Sequence, residues 1–125
     1  MLDHERLRVY QLSIRLAALS LRVIATLPRG SAKLADQLWR SSTSISSNIA
    51  EGVGKRSMAE RRSYYDHSRG SAFESAAHLD IVRLLNTGCD KEIDEGKQML
   101  VEIVKMLTVM MEKCVPSVVH GQEQG

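Results

Sequence analysis

A chain of 125 residues is one domain's worth, long enough to bury most of its apolar surface around a single core without disulfide or metal staples. Apolar residues at 43% and charged residues at 26% exclude a wholly disordered chain, and one Trp, one Phe and three Tyr leave a core of aliphatic side chains and methionine, which suits helices. The net charge of +2 hides an asymmetry: residues 1–62 carry eleven Lys and Arg against five Asp and Glu, residues 63–125 six against ten.

A basic half and an acidic half fit either a phosphate-binding face or a basic helix lying beside an acidic one. Cys89 and Cys114 are far apart and form no CxxC pair, as expected of free thiols in a reducing compartment. The opening MLDHERLR lacks the basic start of a secretory leader, and no later run approaches the ~20 apolar residues of a membrane span. The expectation is a cytoplasmic protein without membrane contact.

The first helix is predicted from His4 to Leu27, ended by Pro28 and Gly30. Leu7, Tyr10, Ile14, Ala17, Leu21 and Ile24 follow a 3,4 spacing and are assigned to the core. Val9, Leu12, Leu16, Leu19 and Val23 form a second apolar stripe on another side, which predicts an oligomer interface. Arg8, Arg15 and Arg22 line a ridge at heptad spacing, with Arg29 next in step. Two readings of that ridge are open: contacts to phosphates, or ion pairs with the acidic fourth helix or a neighbouring subunit.

The polar run RSSTSISSNIAEG, residues 40–52, conceals Ala35, Leu38, Ser42, Ile45, Ile49 and Gly52 at the same 3,4 spacing, so it is predicted as the interior of a second helix. Serine is a mediocre helix former, but it is small, and opposite Gly70, Ser71, Ala72, Ser75 and Ala76 it permits close helix packing. Its hydroxyls can bond carbonyls one turn earlier. Gly52-Val53-Gly54-Lys55-Arg56-Ser57 then makes a turn that fails the phosphate-loop pattern, since Arg56 follows the lysine and a helix precedes it. With Arg61 and Arg62, Lys55 and Arg56 form the strongest basic cluster in the chain.

A capping box, Ser57-Met58-Ala59-Glu60, opens the third helix, whose inward series is Met58, Tyr65, Ser68, Ala72, Ser75, Leu79 and Val82. It is predicted to end near Thr87-Gly88. A fourth helix begins after Asp90, carries Ile93, Gly96, Leu100, Ile103, Leu107, Met110 and Cys114 inward, and stops before Pro116. The predicted architecture is a single all-α domain over residues 4–115, an antiparallel up-down four-helix bundle, followed by a disordered tail at 116–125.

Little in the sequence points to catalysis. His4, His67, His78 and His120 are scattered, and Glu74 and His78, one turn apart, fit a side-chain pair better than metal ligands. No nucleophile has a base and an orienting group in evident register. Neither enzyme activity, nor a cofactor, nor a metal is expected.

SISSNIAEG, with Gln37-Leu38 and Arg40 before it and Gly54, Arg56 and Ser57 after it, resembles the signature of the 23S rRNA intervening-sequence protein family. Val9-Tyr10-Gln11, Leu27-Pro28, Gly70-Ser71 and Glu74 agree with it, and the resemblance covers nearly all of residues 5–115. It implies a small bacterial four-helix bundle that assembles as a homopentamer. The fold is also similar to that of the accessory variability proteins of diversity-generating retroelements, basic pentameric barrels that bind nucleic acid and a reverse transcriptase. The chain departs from the family in having Ser46 where proline is common, and Arg61, Arg62 and Arg69 where larger apolar residues are usual.

Among the motif residues, Gln37, Arg40, Asn48, Glu51, Ser71 and Glu74 are expected to form a polar network fixing the register of helices 2 and 3, in preference to touching a ligand. The functional expectation is a homo-oligomer that works by binding. RNA or DNA phosphates would meet Arg8, Arg15, Arg22, Lys55, Arg56, Arg61 and Arg62. The alternative is a scaffold for a protein partner, with no nucleic-acid ligand.

Overall fold

In the computed structural model, which describes residues 1–114, a 3-10 turn at Asp3–Arg6 precedes four helices: α1 Arg8–Ile24, α2 Ala32–Val53, α3 Met58–Leu84 and α4 Asp90–Glu112. No strand occurs among the described residues, and the tail assigned to 116–125 lies outside them. The first helix starts later than the sequence suggests. Leu7 adopts an extended backbone (φ −76°, ψ 131°) that separates the 3-10 turn from α1, and Gly30 at φ +89° reverses the chain before α2. Ser57 caps α3, its hydroxyl accepting from the Glu60 amide at 3.2 Å, but the return bond of the expected capping box, from the Ser57 amide to the Glu60 side chain, is not formed.

All four helices bury one face in a common aliphatic core whose fully enclosed members include Leu16, Leu19, Leu38, Ile45, Ile49, Leu79, Ile103 and Leu107. Partners across the helix contacts rise in number on one helix as they fall on the next. Ser68, Ser71 and Ser75 of α3 meet Ile45, Ser44 and Ser41 of α2; Asp80 and Arg83 of α3 meet Lys97 and Asp94 of α4; Arg8 and Arg22 of α1 meet Glu102 and Glu95 of α4.

The main core stripe of α1 is not the one the sequence reading chose. Val9, Leu12, Leu16, Leu19 and Val23, assigned above to an oligomer interface, are buried in the core of the single chain. Of the stripe assigned to the core, Ile14 and Leu21 face outward, 45% and 52% exposed, whereas Leu7, Tyr10 and Ile24 are half-buried and pack against the edge of the core. The arginine ridge supplies a physical reason. Arg8, Arg15 and Arg22 lie about 80° round the helix from the buried stripe but about 130° from the other. Only the observed orientation lets them reach the carboxylates of α4 while large aliphatic side chains fill the core. Smaller departures occur at the ends of the other helices: Met111 is buried in the last turn of α4, with Met110 half-buried, and Met58 is exposed.

Candidate functional site

The serine run occupies the middle of α2, where it faces α3. Ser41, Ser42, Ser46, Ser68 and Ser75 are all buried, and every one of these hydroxyls is hydrogen-bonded. Three bonds cross the seam: Ser75 donates to the Ser41 hydroxyl at 2.9 Å, Ser68 to the Ile45 carbonyl at 2.8 Å, and Ser71 to the Ser44 hydroxyl at 2.9 Å. Asn48 joins the chain by donating its amide to the Ser44 carbonyl and hydroxyl at 2.8 and 2.9 Å. Small side chains and satisfied polar groups thus hold two backbones close.

Outside this interior, Arg40 forms an ion pair with Glu74 across the same seam, and His78 Nε2 lies 3.3 Å from the same carboxylate. Partial burial pushes the Glu74 carboxyl up, but hydrogen bonds from Arg40 and His78 together with their charge outweigh it and hold it below its ordinary value. Of the six motif residues, Arg40, Asn48, Ser71 and Glu74 take part in contacts between α2 and α3, directly or through Ser44. Gln37 makes no side-chain hydrogen bond among the described residues, and Glu51 turns to Lys55 in its own chain segment, 3.7 Å away. Sequence reasoning missed Ser44 as the bridging group; its position one turn before Asn48 was the available signal.

Gly52 ends the run for a steric reason. A β-carbon there would lie 2.7 Å from Tyr65 Cε1 and 3.1 Å from Tyr64 Cβ, so any side chain would force the Tyr65 ring, or α3 with it, to shift. Immediately beyond, the basic turn is closed by the Lys55 amide bonding the Gly52 carbonyl at 3.1 Å. Arg61 reaches back from the first turn of α3 and donates Nε to the Lys55 carbonyl at 2.6 Å. The Lys55 ammonium sits 5.3 Å from the Tyr64 ring centroid and 3.7 Å from Glu51. Arg56 and Arg62 are exposed and enter no ion pair among the described residues. Ser47, Ala50, Glu51, Gly54 and Lys55 line a shallow cleft of about 460 Å³ beside this turn.

The helix 1 ridge is engaged differently. Arg8 is 3.1 Å from Glu102 and Arg22 3.7 Å from Glu95, while Arg15 is exposed without an ion pair among the described residues. On the other side of α4, Arg83 meets Asp94 at 2.6 Å and Asp90 at 3.6 Å, and Lys97 pairs with Asp80. Three ion pairs join the basic half of the sequence to the acidic half, Arg8–Glu102, Arg22–Glu95 and Arg40–Glu74, whereas those of Arg83 and Lys97 lie within the acidic half. No group of three or more His, Cys, Asp or Glu residues among those described is placed to hold a metal ion, and Cys89 and Cys114 are buried free thiols.

The model of the 23S rRNA-intervening sequence protein family matches residues 5–109. This chain belongs to that family. A solved structure with this fold is a Bacteroides thetaiotaomicron protein of unknown function from the S23 ribosomal protein family; 82% of this chain and 97% of that one superpose with a TM-score of 0.74 at 21% identity. Comparison with curated proteins finds no match. Among the described residues, no helix is long and apolar enough to cross a membrane.

Within this family member the signature SISSNIAEG has a physical content. Its serines and Ile45 and Ile49 set the distance between α2 and α3, Asn48 ties the seam to Ser44, and Gly52 makes room for Tyr65. Most of the signature therefore builds the bundle. The exposed cations that follow it are the part not used in packing.

Proposed function

We propose that this intervening-sequence family member is a non-enzymatic cytoplasmic protein that acts by binding RNA or DNA, taking phosphates at the turn between α2 and α3. The observation that carries this reading is the contrast between the two basic features. Arg8 and Arg22 are occupied by carboxylates of α4, whereas Arg56 and Arg62 stand exposed without ion pairs among the described residues, beside a turn that Arg61 braces. Cations free of internal partners can release counterions from a phosphate backbone. Arg15 and Lys55 would add to the same field.

In this reading the bundle is antiparallel and up-down, and it assembles as a homo-oligomer, a pentamer as the family resemblance implies. Burial of Val9, Leu12, Leu16, Leu19 and Val23 removes them from that assembly, and the outward stripe with Ile14, Ala18 and Leu21 takes their place as the contact. Repetition of the basic turn round a ring would multiply a weak individual affinity.

Fluorescence anisotropy with a short labelled RNA and DNA across a salt series tests the proposal. Affinity is expected to fall steeply with salt, and replacing Arg56 and Arg62 together by alanine is expected to lower the log–log salt slope by about two. Replacing Arg8 and Arg22 should change it far less. Absence of binding to either nucleic acid at low salt would reject the reading. The second reading, a protein-interaction scaffold, is supported by the small number of aromatic platforms in the chain; recovery of a stoichiometric protein after nuclease treatment would favour it.

A further inference from the structure

Two exposed apolar strips lie on helices that do not pack on each other. One is the outward strip of α1, with Ile14, Ala18 and Leu21. The other is on α3, where Ala77 is exposed, Ile81 is 46% and Leu84 77% exposed, and Gly70 continues the row one heptad before Ala77. α1 and α3 each pack on α2 and α4 and stand at opposite corners of the bundle, so neither strip can cover the other within one chain.

The two strips stand at one height. A β-carbon on Gly96 of α4 would lie 3.0 Å from Leu19 Cδ2 and 3.0 Å from Leu79 Cδ1, which puts these buried leucines at the same level. Leu19 falls within the span Ile14 to Leu21 and Leu79 within Ala77 to Leu84, each about 10 Å of helix. In the up-down order proposed above, α1 and α3 also run in the same direction. A second copy set beside the first, neither shifted along the axis nor inverted, brings the α1 strip of one against the α3 strip of the other.

Two further observations favour a second copy as the occupant. Arg15, on the flank of the α1 strip, is exposed and enters no ion pair among the described residues. Asp80, on the flank of the α3 strip, pairs with Lys97 but keeps 58% of its side chain open, and parallel docking turns the flank of Arg15 towards it. Gly70 lies in mid-helix with nothing within 4 Å of where its β-carbon would be. A glycine inside a helix costs stability relative to alanine, and no close approach within the chain requires this one. A backbone arriving from outside would use the space.

We infer that copies of this chain join face to back, the Ile14, Ala18 and Leu21 strip of one seated on the Ala77, Ile81 and Leu84 strip of the next. The inference rests on the homo-oligomer reading above and names the surface that receives α1. Such a contact uses two different patches and closes into a ring or runs on as a filament, whereas a two-fold contact through α1 alone would leave the α3 strip in water. Because every copy keeps the same sense, all the turns between α2 and α3 lie on one rim, where Arg56 and Arg62 repeat.

Light scattering on the full chain tests this with two variants, Leu21→Glu and Leu84→Glu. Both positions are more than half exposed, so the new charge burdens the contact and not the core. Wild type should exceed the 13.9 kDa of one chain, and each variant alone should fall to it. Mixed in equal amounts, the variants should form a species of twice that mass and no larger. The intact α3 strip of the first then receives the intact α1 strip of the second, while the other two strips are blocked. Leu21→Gln and Leu84→Gln take their place in the same scheme should either glutamate variant lose its helical circular dichroism. A mixture that stays at the mass of one chain would overturn the inference. If Leu84→Glu keeps the wild-type mass while Leu21→Glu is monomeric, the α3 strip is refuted and the oligomeric reading stands; a monomeric wild type refutes both.

Discussion

The two halves of the core are built on different principles. On the side of α1 and α4 the core consists mainly of large aliphatic side chains, among them Leu16, Leu19, Leu100 and Ile103, with Leu16 and Leu19 fitting against Gly96 of α4 and ion pairs at the exposed edge. Between α2 and α3 it is made of Ser41, Ser44, Ser68, Ser71 and Ser75 and ends on Gly52, with hydrogen bonds in its interior. An aliphatic contact is held by the area it removes from water, so it is hurt most by truncation. A small-residue contact is held by proximity and matched polar groups, so it is hurt most by enlargement.

The largest expected effect is on the aliphatic side. Leu16→Ala should lower the unfolding free energy by about 2–5 kcal/mol in urea titration. Leu21→Ala, on the outward stripe of the same helix, should stay within about 0.5 kcal/mol in a monomeric preparation. Equal costs at the two positions would contradict the orientation of α1. On the small-residue side, adding one methyl group should suffice: Gly52→Ala is expected to cost about 1–3 kcal/mol, because Tyr65 has to move. A neutral outcome at Gly52 would break the contrast between the halves.

Smaller effects separate the seams' outer edges. Glu74→Gln should cost about 0.5–1 kcal/mol near neutral pH, a figure kept small by solvent screening of a partly exposed group. Because Arg40 and His78 hold the folded carboxyl below its ordinary value, the contribution is complete above the unfolded carboxylate's pKa. It is lost as pH falls through the lower folded value, so wild type and variant should converge in acid melts. The smallest change belongs to the exposed pair at the edge of the aliphatic half: Arg22→Ala should shift stability by less than about 0.5 kcal/mol, and less still at high salt.

Helix number, their approximate extents and the helical nature of the serine run were legible in the sequence because each helix keeps its apolar residues at 3,4 spacing over several turns. Spacing alone could not tell which stripe of α1 faces inward, since both keep it. The purity of Val9, Leu12, Leu16, Leu19 and Val23, all large and aliphatic, was the overlooked signal; the other stripe contains Ala17 and Tyr10. Of the candidate site, the basic residues were visible as composition. That Arg8 and Arg22 are occupied while Arg56 and Arg62 are not depends on the distance to α4, which no local pattern encodes.

By itself, the sequence determined four helices, the cap at Ser57, and a family signature made of small residues, because these follow from local spacing, steric size and backbone hydrogen bonding. Only the tertiary structure decided which face of α1 is core and which cations are spent on α4. Those outcomes depend on how helices distant in sequence share one interior, where burying the larger aliphatic stripe and bringing the arginine ridge within reach of carboxylates had to be met by the same rotation of the helix.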